Sequence, residues 1–151
     1  MGKLKAVIIV FYERLLDIRV EADLRQVDIA RILKVSQSNY SRWESGQEFI
    51  PLRKLNLLCN HFNISMDYVA GISRHNTPTK KCEIDKKVIG KRLREFRKQY
   101  NITQVQLANY LNTTQSTISA YESGKTMLLT AFALQIIDKY NISLDWLCGR
   151  K

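Results

Sequence analysis

Apolar residues recur three and four apart along most of the chain, the spacing that lines one face of an α-helix. The rhythm is clearest from residue 86 onward. There Val88, Leu93, Phe96 and Tyr100 predict one helix, and Val105, Leu107, Ala108 and Leu111 predict a second. Thr103 and Gln106 open the second as a capping box, each side chain satisfying a free backbone N–H of the other. Asn112-Thr113 makes a tight break. Thr114 then caps a third helix, Gln115–Ser123, which Gly124 ends in a left-handed conformation. A fourth helix is predicted over about 129–140, and Ser143 caps a short fifth, Leu144–Cys148, before Gly149. The same plan runs earlier. Ser36 caps a third helix ended by Gly46, Pro51 sits in a first helical turn, and Ser65 caps a fifth helix. Only Lys5–Val10 reads ambiguously between helix and strand, so the fold class expected is all-α.

The two halves share more than a plan. Residues 14–71 align with 92–149 without a gap, at a constant offset of 78. Gln26-Val27 returns as Gln104-Val105, Gln37-Ser38 as Gln115-Ser116, and Glu44-Ser45-Gly46 as Glu122-Ser123-Gly124. Asn63-Ile64-Ser65 returns as Asn141-Ile142-Ser143, with Asp67 and Gly71 echoed by Asp145 and Gly149. A repeat this long means two copies of one small domain rather than a solenoid. The expected boundaries are 1–71 and 86–151. The polar stretch 72–85, with Pro78 and no apolar period, is read as a linker. Its 14 residues reach at most about 46 Å when extended and average roughly 20 Å as a flexible coil.

The third helix carries the chemistry. Gln115, Ser116, Ser119, Ala120 and Ser123 share one face, small and polar, while Ile118 and Tyr121 mark the opposite, apolar face. A narrow helix of that kind fits the major groove of B-DNA. There Gln pairs with adenine, Ser reaches several base edges and an Ala methyl meets the thymine methyl. The first copy offers Gln37, Ser38, Ser41, Arg42 and Ser45, with Asn39 beside them. Arg42 is suited to a two-pronged contact with guanine, so the copies are expected to prefer different bases.

The sequence Thr103-Gln104-x-x-Leu107-Ala108-x-x-Leu111, then Thr114-Gln115-Ser116-Thr117-Ile118-Ser119-x-Tyr121-Glu122-Ser123-Gly124-Lys125, resembles the Cro/cI-type helix-turn-helix family of xenobiotic-response-element-like repressors. So does the closing Asn141-Ile142-Ser143-Leu144-Asp145-Trp146-Leu147-x-Gly149. The resemblance covers both repeats and implies two tandem five-helix, lambda-repressor-like domains. It implies that Gln26 and Gln104 grip phosphates. It gives base reading to Gln37, Ser38 and Asn39, to Gln115, Ser116 and Thr117, and to Arg42 and Ala120 one turn on. It assigns Lys125 to the DNA backbone. It also implies structural ion pairs between Arg19 and Glu44 and between Arg97 and Glu122.

Charge separates the copies. The chain carries +10 overall. Residues 1–71 hold ten basic and eight acidic side chains, 72–85 three and two, and 86–151 eleven and four, giving +2, +1 and +7. The second copy is therefore expected to supply most of the non-specific affinity. Gln47-Glu48 stands where the second copy has Lys125-Thr126, placing an acid where a backbone contact is expected.

Other functions fare poorly. Cys59, Cys82 and Cys148 are scattered and form no CxxC or Cys/His cluster, so reduced thiols are expected rather than disulfides or zinc. His61 and His75 have no partner at metal or catalytic spacing, and no nucleophile–base set assembles, so no enzyme, metal or cofactor is expected. Ser123-Gly124-Lys125-Thr126 imitates the tail of a phosphate-binding loop, but Ser119 stands where that loop needs glycine. Trp43, Tyr68, Tyr121 and Trp146 recur with the helical period and are read as packing residues. The basic cluster of Lys86, Lys87, Lys91, Arg92, Arg94 and Lys98 is as well explained by a solvated face as by phosphate contact. The longest apolar run, Ala6–Tyr12, falls far short of the roughly 20 residues that span a bilayer, and no signal peptide is expected. The tail Lys3–Val10 either lengthens the first helix or forms a contact surface.

The sequence thus points to a cytoplasmic, nucleoid-associated DNA-binding regulator, a repressor of bacterial or phage type, whose partner is double-stranded DNA. It would act by occupying promoter DNA. A homodimer on a longer palindrome stays open. So does a second class, a protein-interaction regulator of antitoxin or antirepressor type in which one repeat docks a protein partner. RNA is disfavoured because a groove-reading helix suits B-form better than A-form geometry.

Overall fold

The computed structural model describes the backbone of residues 2–151 and the side chains from Ala6 onward. The described residues form helices joined by turns, with no strand. The first repeat comprises α1 (Gly2–Glu21), α2 (Gln26–Leu33), α3 (Gln37–Glu44), α4 (Leu52–Phe62) and α5 (Met66–Val69). The second comprises α6 (Lys86–Gln99), α7 (Gln104–Tyr110), α8 (Gln115–Glu122), α9 (Thr130–Tyr140) and α10 (Leu144–Leu147).

The sequence's punctuation sets these limits. Thr103 Oγ1 accepts the Gln106 N–H while Gln106 Oε1 accepts that of Thr103, the capping box expected at α7. Ser36, Ser65, Thr114 and Ser143 each accept a backbone N–H three residues on. Gly124 ends α8 at φ +74°. Its N–H reaches the Tyr121 carbonyl and that of Lys125 reaches Ala120, closing the last turn. Two details differ. Pro51 is the residue before α4 rather than its first turn. Arg25 offers α2 no side-chain acceptor, so Asp28 seals that start by accepting the Arg25 N–H at 2.9 Å.

The ambiguous N-terminal stretch is helix: α1 runs back to Gly2, and the helix lies against α9 of the other repeat. The side chains of Lys3, Leu4 and Lys5 lie outside the described residues. Each repeat buries its helical stripe, with Phe11, Leu15, Leu33, Tyr40 and Leu55 in one and Leu93, Phe96, Leu107, Ile118 and Leu134 in the other, all at most 1% exposed. Full burial of such an aliphatic side chain contributes about 1.5–3 kcal/mol. Val88 and Tyr100, read as part of that stripe, are instead 40% and 43% exposed. Val88 lies over Gly149, and Tyr100 stacks on Phe96 and Tyr140.

Of the four aromatic residues assigned to packing, Trp43 and Tyr121 are buried. Tyr68 and Trp146 are half-buried beneath matching guanidinium groups, Arg14 at 4.0 Å and Arg92 at 4.9 Å from the ring centres. Cys59 and Cys148 are buried free thiols, and burial pushes the Cys59 thiol up to about 12.

The two repeats hold their third helices differently. A Cβ on Gly90 would lie 2.2 Å from the Tyr121 carbonyl oxygen and 2.8 Å from that of Glu122. So α6 sits directly against the end of α8. Its counterpart in α1 is Tyr12, whose ring lies over Gly46 and beside Phe49, spacing α1 away from α3.

The connecting segment is anchored rather than free. Asn76 accepts the Ser65 N–H and donates to the Asn63 carbonyl. The Cys82 carbonyl accepts from Asn56 and Asn60, and that of Ile84 accepts from Arg53 of α4. The seam between the repeats is polar and reciprocal. Asp67 accepts the Leu144 and Asp145 N–H groups at the start of α10, while Asp145 accepts those of Met66 and Asp67 at the start of α5. Arg150 bonds Asp145 at 3.0 Å and also donates to Asn56 and Asn60. Thr130 donates to the Ile50 carbonyl at 2.6 Å.

Gly90→Ala forces a methyl into the carbonyl end of α8, an overpacking change that costs about 1–3 kcal/mol or more. Thermal unfolding of the variant is expected at a clearly lower temperature, whereas Tyr12→Phe should unfold within a degree or two of the parent.

Candidate nucleic-acid interface

In each repeat an arginine of the first helix holds the end of the third. Arg19 Nε and Nη2 each lie 2.8 Å from the Glu44 carboxylate. Arg97 Nε and Nη2 reach Glu122 at 3.1 and 2.9 Å. The glutamate side chains are only 7% and 4% exposed, and the guanidinium groups also cap the carbonyls of Leu24 and Ile102. Burial pushes the Glu44 carboxyl up, but hydrogen bonds from Arg19 and Gln26, with the Tyr40 hydroxyl alongside, outweigh it and hold Glu44 below the usual carboxylate range.

The two glutamines at the head of α2 and α7 join these clamps. Gln26 donates to Glu44 at 3.3 Å and Gln104 to Glu122 at 3.1 Å. Gln104 Oε1 in turn lies 3.4 Å from the Gln115 amide. A carboxamide has two N–H donors, so each glutamine is oriented through its glutamate and keeps one donor for another acceptor.

The face of α8 is open. Gln115, Ser116, Ser119 and Ser123 are exposed, Ala120 is half-exposed among them, and with Lys125 they line a shallow groove. Ile118 and Tyr121 on the other side are buried. Thr117 is placed differently: half-buried, with its hydroxyl 2.9 Å from that of Thr114, it belongs to the helix cap. The flank of α8 holds a second groove lined by Arg94, Arg97 and Gln104. This brings one member of the basic cluster, Arg94, beside the exposed face of α8. Arg92 is instead spent on Trp146, and Lys86 bonds the Lys125 carbonyl at 3.2 Å.

The face of α3 is tied up. Gln37 and Ser38 are exposed, but Asn39, Ser41 and Arg42 are half-buried. Arg42 donates to the Asn39 carboxamide and sits 3.2 Å from Glu48. The residue best suited to guanine is therefore engaged by an acid from its own turn, where the second repeat has Lys125 and Thr126.

The seam residues Asp67, Asp145, Asn56, Asn60 and Arg150 had no role in the sequence reading. The repetition of Asp67 as Asp145 was the signal available, but a reciprocal contact between counterparts is visible only in three dimensions. Among the described residues, no three or more His, Cys, Asp or Glu side chains are placed to hold a metal, and no helix is long and apolar enough to cross a membrane.

Comparison with known proteins places this arrangement. The helix-turn-helix family profile matches residues 15–69 and again 93–147, and the chain belongs to the Cro/cI-type branch of that family. It carries two helix-turn-helix DNA-binding domains, in a family that is typically non-enzymatic. It is 37% identical over 62 residues to the cryptic phage CTXphi transcriptional repressor RstR of Vibrio cholerae, covering 41% of this chain and 55% of that one. It is 28% identical over 71 residues to Antitoxin PezA of Streptococcus pneumoniae, covering 47% and 45%. The chain spans about half the length of these curated relatives. No solved structure matches significantly.

Glu44 titrates with a sign that follows from its partners. Its ionised form is favoured in the folded protein, so it adds stability at neutral pH. That contribution is lost as pH falls through the unfolded value of about 4.3 and on through the lower folded value. Glu44→Gln should be less stable at pH 7, and its denaturation midpoint should fall less steeply than the parent's between about pH 5 and pH 3. Glu122→Ala strands Arg97 and should cost about 3–5 kcal/mol in denaturant unfolding.

Proposed function

We propose that the chain is a sequence-specific double-stranded DNA-binding regulator that represses by occupying its site, with α8 and α3 as the major-groove readers. The observation that carries this is the face of α8. It is polar, bulk-free and exposed, it is backed by buried Ile118 and Tyr121, and its end is clamped by Arg97. Gln115, Ser116, Ser119 and Ala120 then meet base edges. Gln104, Lys125 and Arg94 stand where phosphates would run, and Gln26 does the same for the first repeat. Thr117 serves the cap and reads at most through its methyl. With +7 on its side, the second repeat grips the duplex hardest. In the first repeat Gln37, Ser38, Asn39, Ser41 and Arg42 are the corresponding readers. Arg42 reaches guanine only after leaving Glu48.

A second function has one observation behind it. The neutralised Arg42 and the low charge of the first repeat suit a face that docks a protein rather than DNA. A similar protein, over part of its length, is an antitoxin by name. A stoichiometric protein complex that forms through α3 and excludes DNA would favour it.

Selection of bound sequences from random DNA by the full chain tests the primary reading. A defined consensus is expected. Gln115→Ala with Ser116→Ala should erase preference for that consensus while leaving non-specific affinity largely intact. Arg42→Ala should cost about 1–3 kcal/mol at a guanine step. Glu48→Gln should tighten binding and steepen its salt dependence by about one counterion. Unchanged discrimination in the first two variants removes the assignment of the reading helices.

A further inference from the structure

We propose that the two repeats form one rigid, pre-assembled pseudo-dimer, so that a single chain reads one bipartite duplex site whose two unequal halves stand at one fixed spacing. This rests on the DNA-reading function above and goes beyond it, because two reading helices on a flexible tether would accept many spacings.

The argument is one of symmetry. In a two-fold contact, residue i meets j and j meets i, and only residues on the axis meet their own counterparts. Asp67 and Asp145 are counterparts at the offset of 78, and each caps the helix that the other begins. A second such point lies where Phe49–Leu52 faces Met127–Thr130, again counterparts, across an apolar groove. Two points define a line. The repeats are therefore related by a pseudo-two-fold axis running from the aspartate pair to that groove. Off the axis the exchange is reciprocal as well. The segment before α6 lies on α4 of the first repeat, and α1 lies on α9 of the second.

The reading helices flank one end of this axis. Met127 and Leu129 line the apolar groove on one side and, with Ser116, Thr117 and Ala120, the groove along α8 on the other. The segment that follows α3 occupies the matching place. Two equivalent readers on either side of a two-fold is the arrangement that meets successive major grooves on one face of a duplex. Here the readers differ, so the site is bipartite without being palindromic.

The seam is built to hold this register. Five of the six buried polar residues among those described, Asn56, Asp67, Thr130, Asp145 and Arg150, bond across it. Buried charges are tolerated only where partners are met in one geometry. Sliding or swinging the repeats would take the Met66 and Asp67 N–H groups from Asp145 and the Asn56 and Asn60 carboxamides from Arg150, leaving two charged groups at most 4% exposed without these partners.

The test uses the full chain on its selected site and on versions with base pairs inserted between the half-sites. One spacing is expected to bind best, with one chain per site. Two inserted base pairs turn one half-site by roughly 70° and should weaken binding at least tenfold. Free of DNA, the chain should unfold in a single cooperative transition. Arg150→Ala should split that transition and flatten the spacing dependence, with Glu21→Ala, exposed at the end of α1, as a control that leaves both in place. Equal binding at several spacings, or protection of one half-site only, overturns the pseudo-dimer and leaves the DNA-reading function standing. Two separate unfolding transitions in the parent chain overturn it as well. Loss of all sequence preference, with the single transition kept, overturns the function and leaves the rigid seam.

Discussion

An eight-residue helix that turns its polar face to solvent cannot hold itself in place. Isolated helices shorter than about 12–15 residues are marginal in water, and α8 buries only Ile118 and Tyr121. What fixes it is the carboxylate at its last turn. Glu122 is gripped by Arg97 from α6 and by Gln104 from α7, so one buried group ties three helices together. Glu44 does the same for α3. The exposed face of each third helix can be small, flat and chemically sparse because its orientation is set from behind.

The duplication then let the two copies diverge around a common clamp. Gly90 brings α6 into contact with the carbonyl end of α8, while Tyr12 fills that space with a ring in the first repeat. Lys125 follows α8, and Glu48 follows α3 and draws Arg42 to itself. The positive charge is concentrated in the second repeat, +7 against +2. Neither change disturbs the core, because both lie where the third helix meets solvent or the first helix.

Much of the fold is legible in the sequence because its signals are local. Caps such as Thr103, Thr114 and Ser143 act within three residues, and the 3.6-residue period marks the buried stripe wherever a helix faces one core. The same period misplaces Val88 and Tyr100. Both carry apolar side chains at helical spacing, yet Val88 covers Gly149 and Tyr100 joins a surface aromatic cluster. On α8, Gln115, Ser116 and Ser119 are legible as exposed polar positions. The locking of Arg42 was not, because it depends on how Glu48 folds back over the helix end.

The segment between the repeats shows the limit most clearly. Its composition is that of a linker, and composition predicts a coil. Yet the backbone carbonyls of Cys82 and Ile84 are satisfied by Asn56, Asn60 and Arg53, 22 to 31 residues earlier on α4. The polar side chains Arg53, Asn56 and Asn60 on α4 are the receiving side of a seam. A polar seam serves this better than an apolar one would. Apolar surfaces stick in many registers at similar cost, whereas Asp67 and Asp145 each need two particular N–H groups and Arg150 needs its aspartate and two asparagines. Stability comes from the continuous hydrophobic cluster that runs beneath both repeats. The charged exchange above it selects which of the many dockings that cluster would permit is the one adopted.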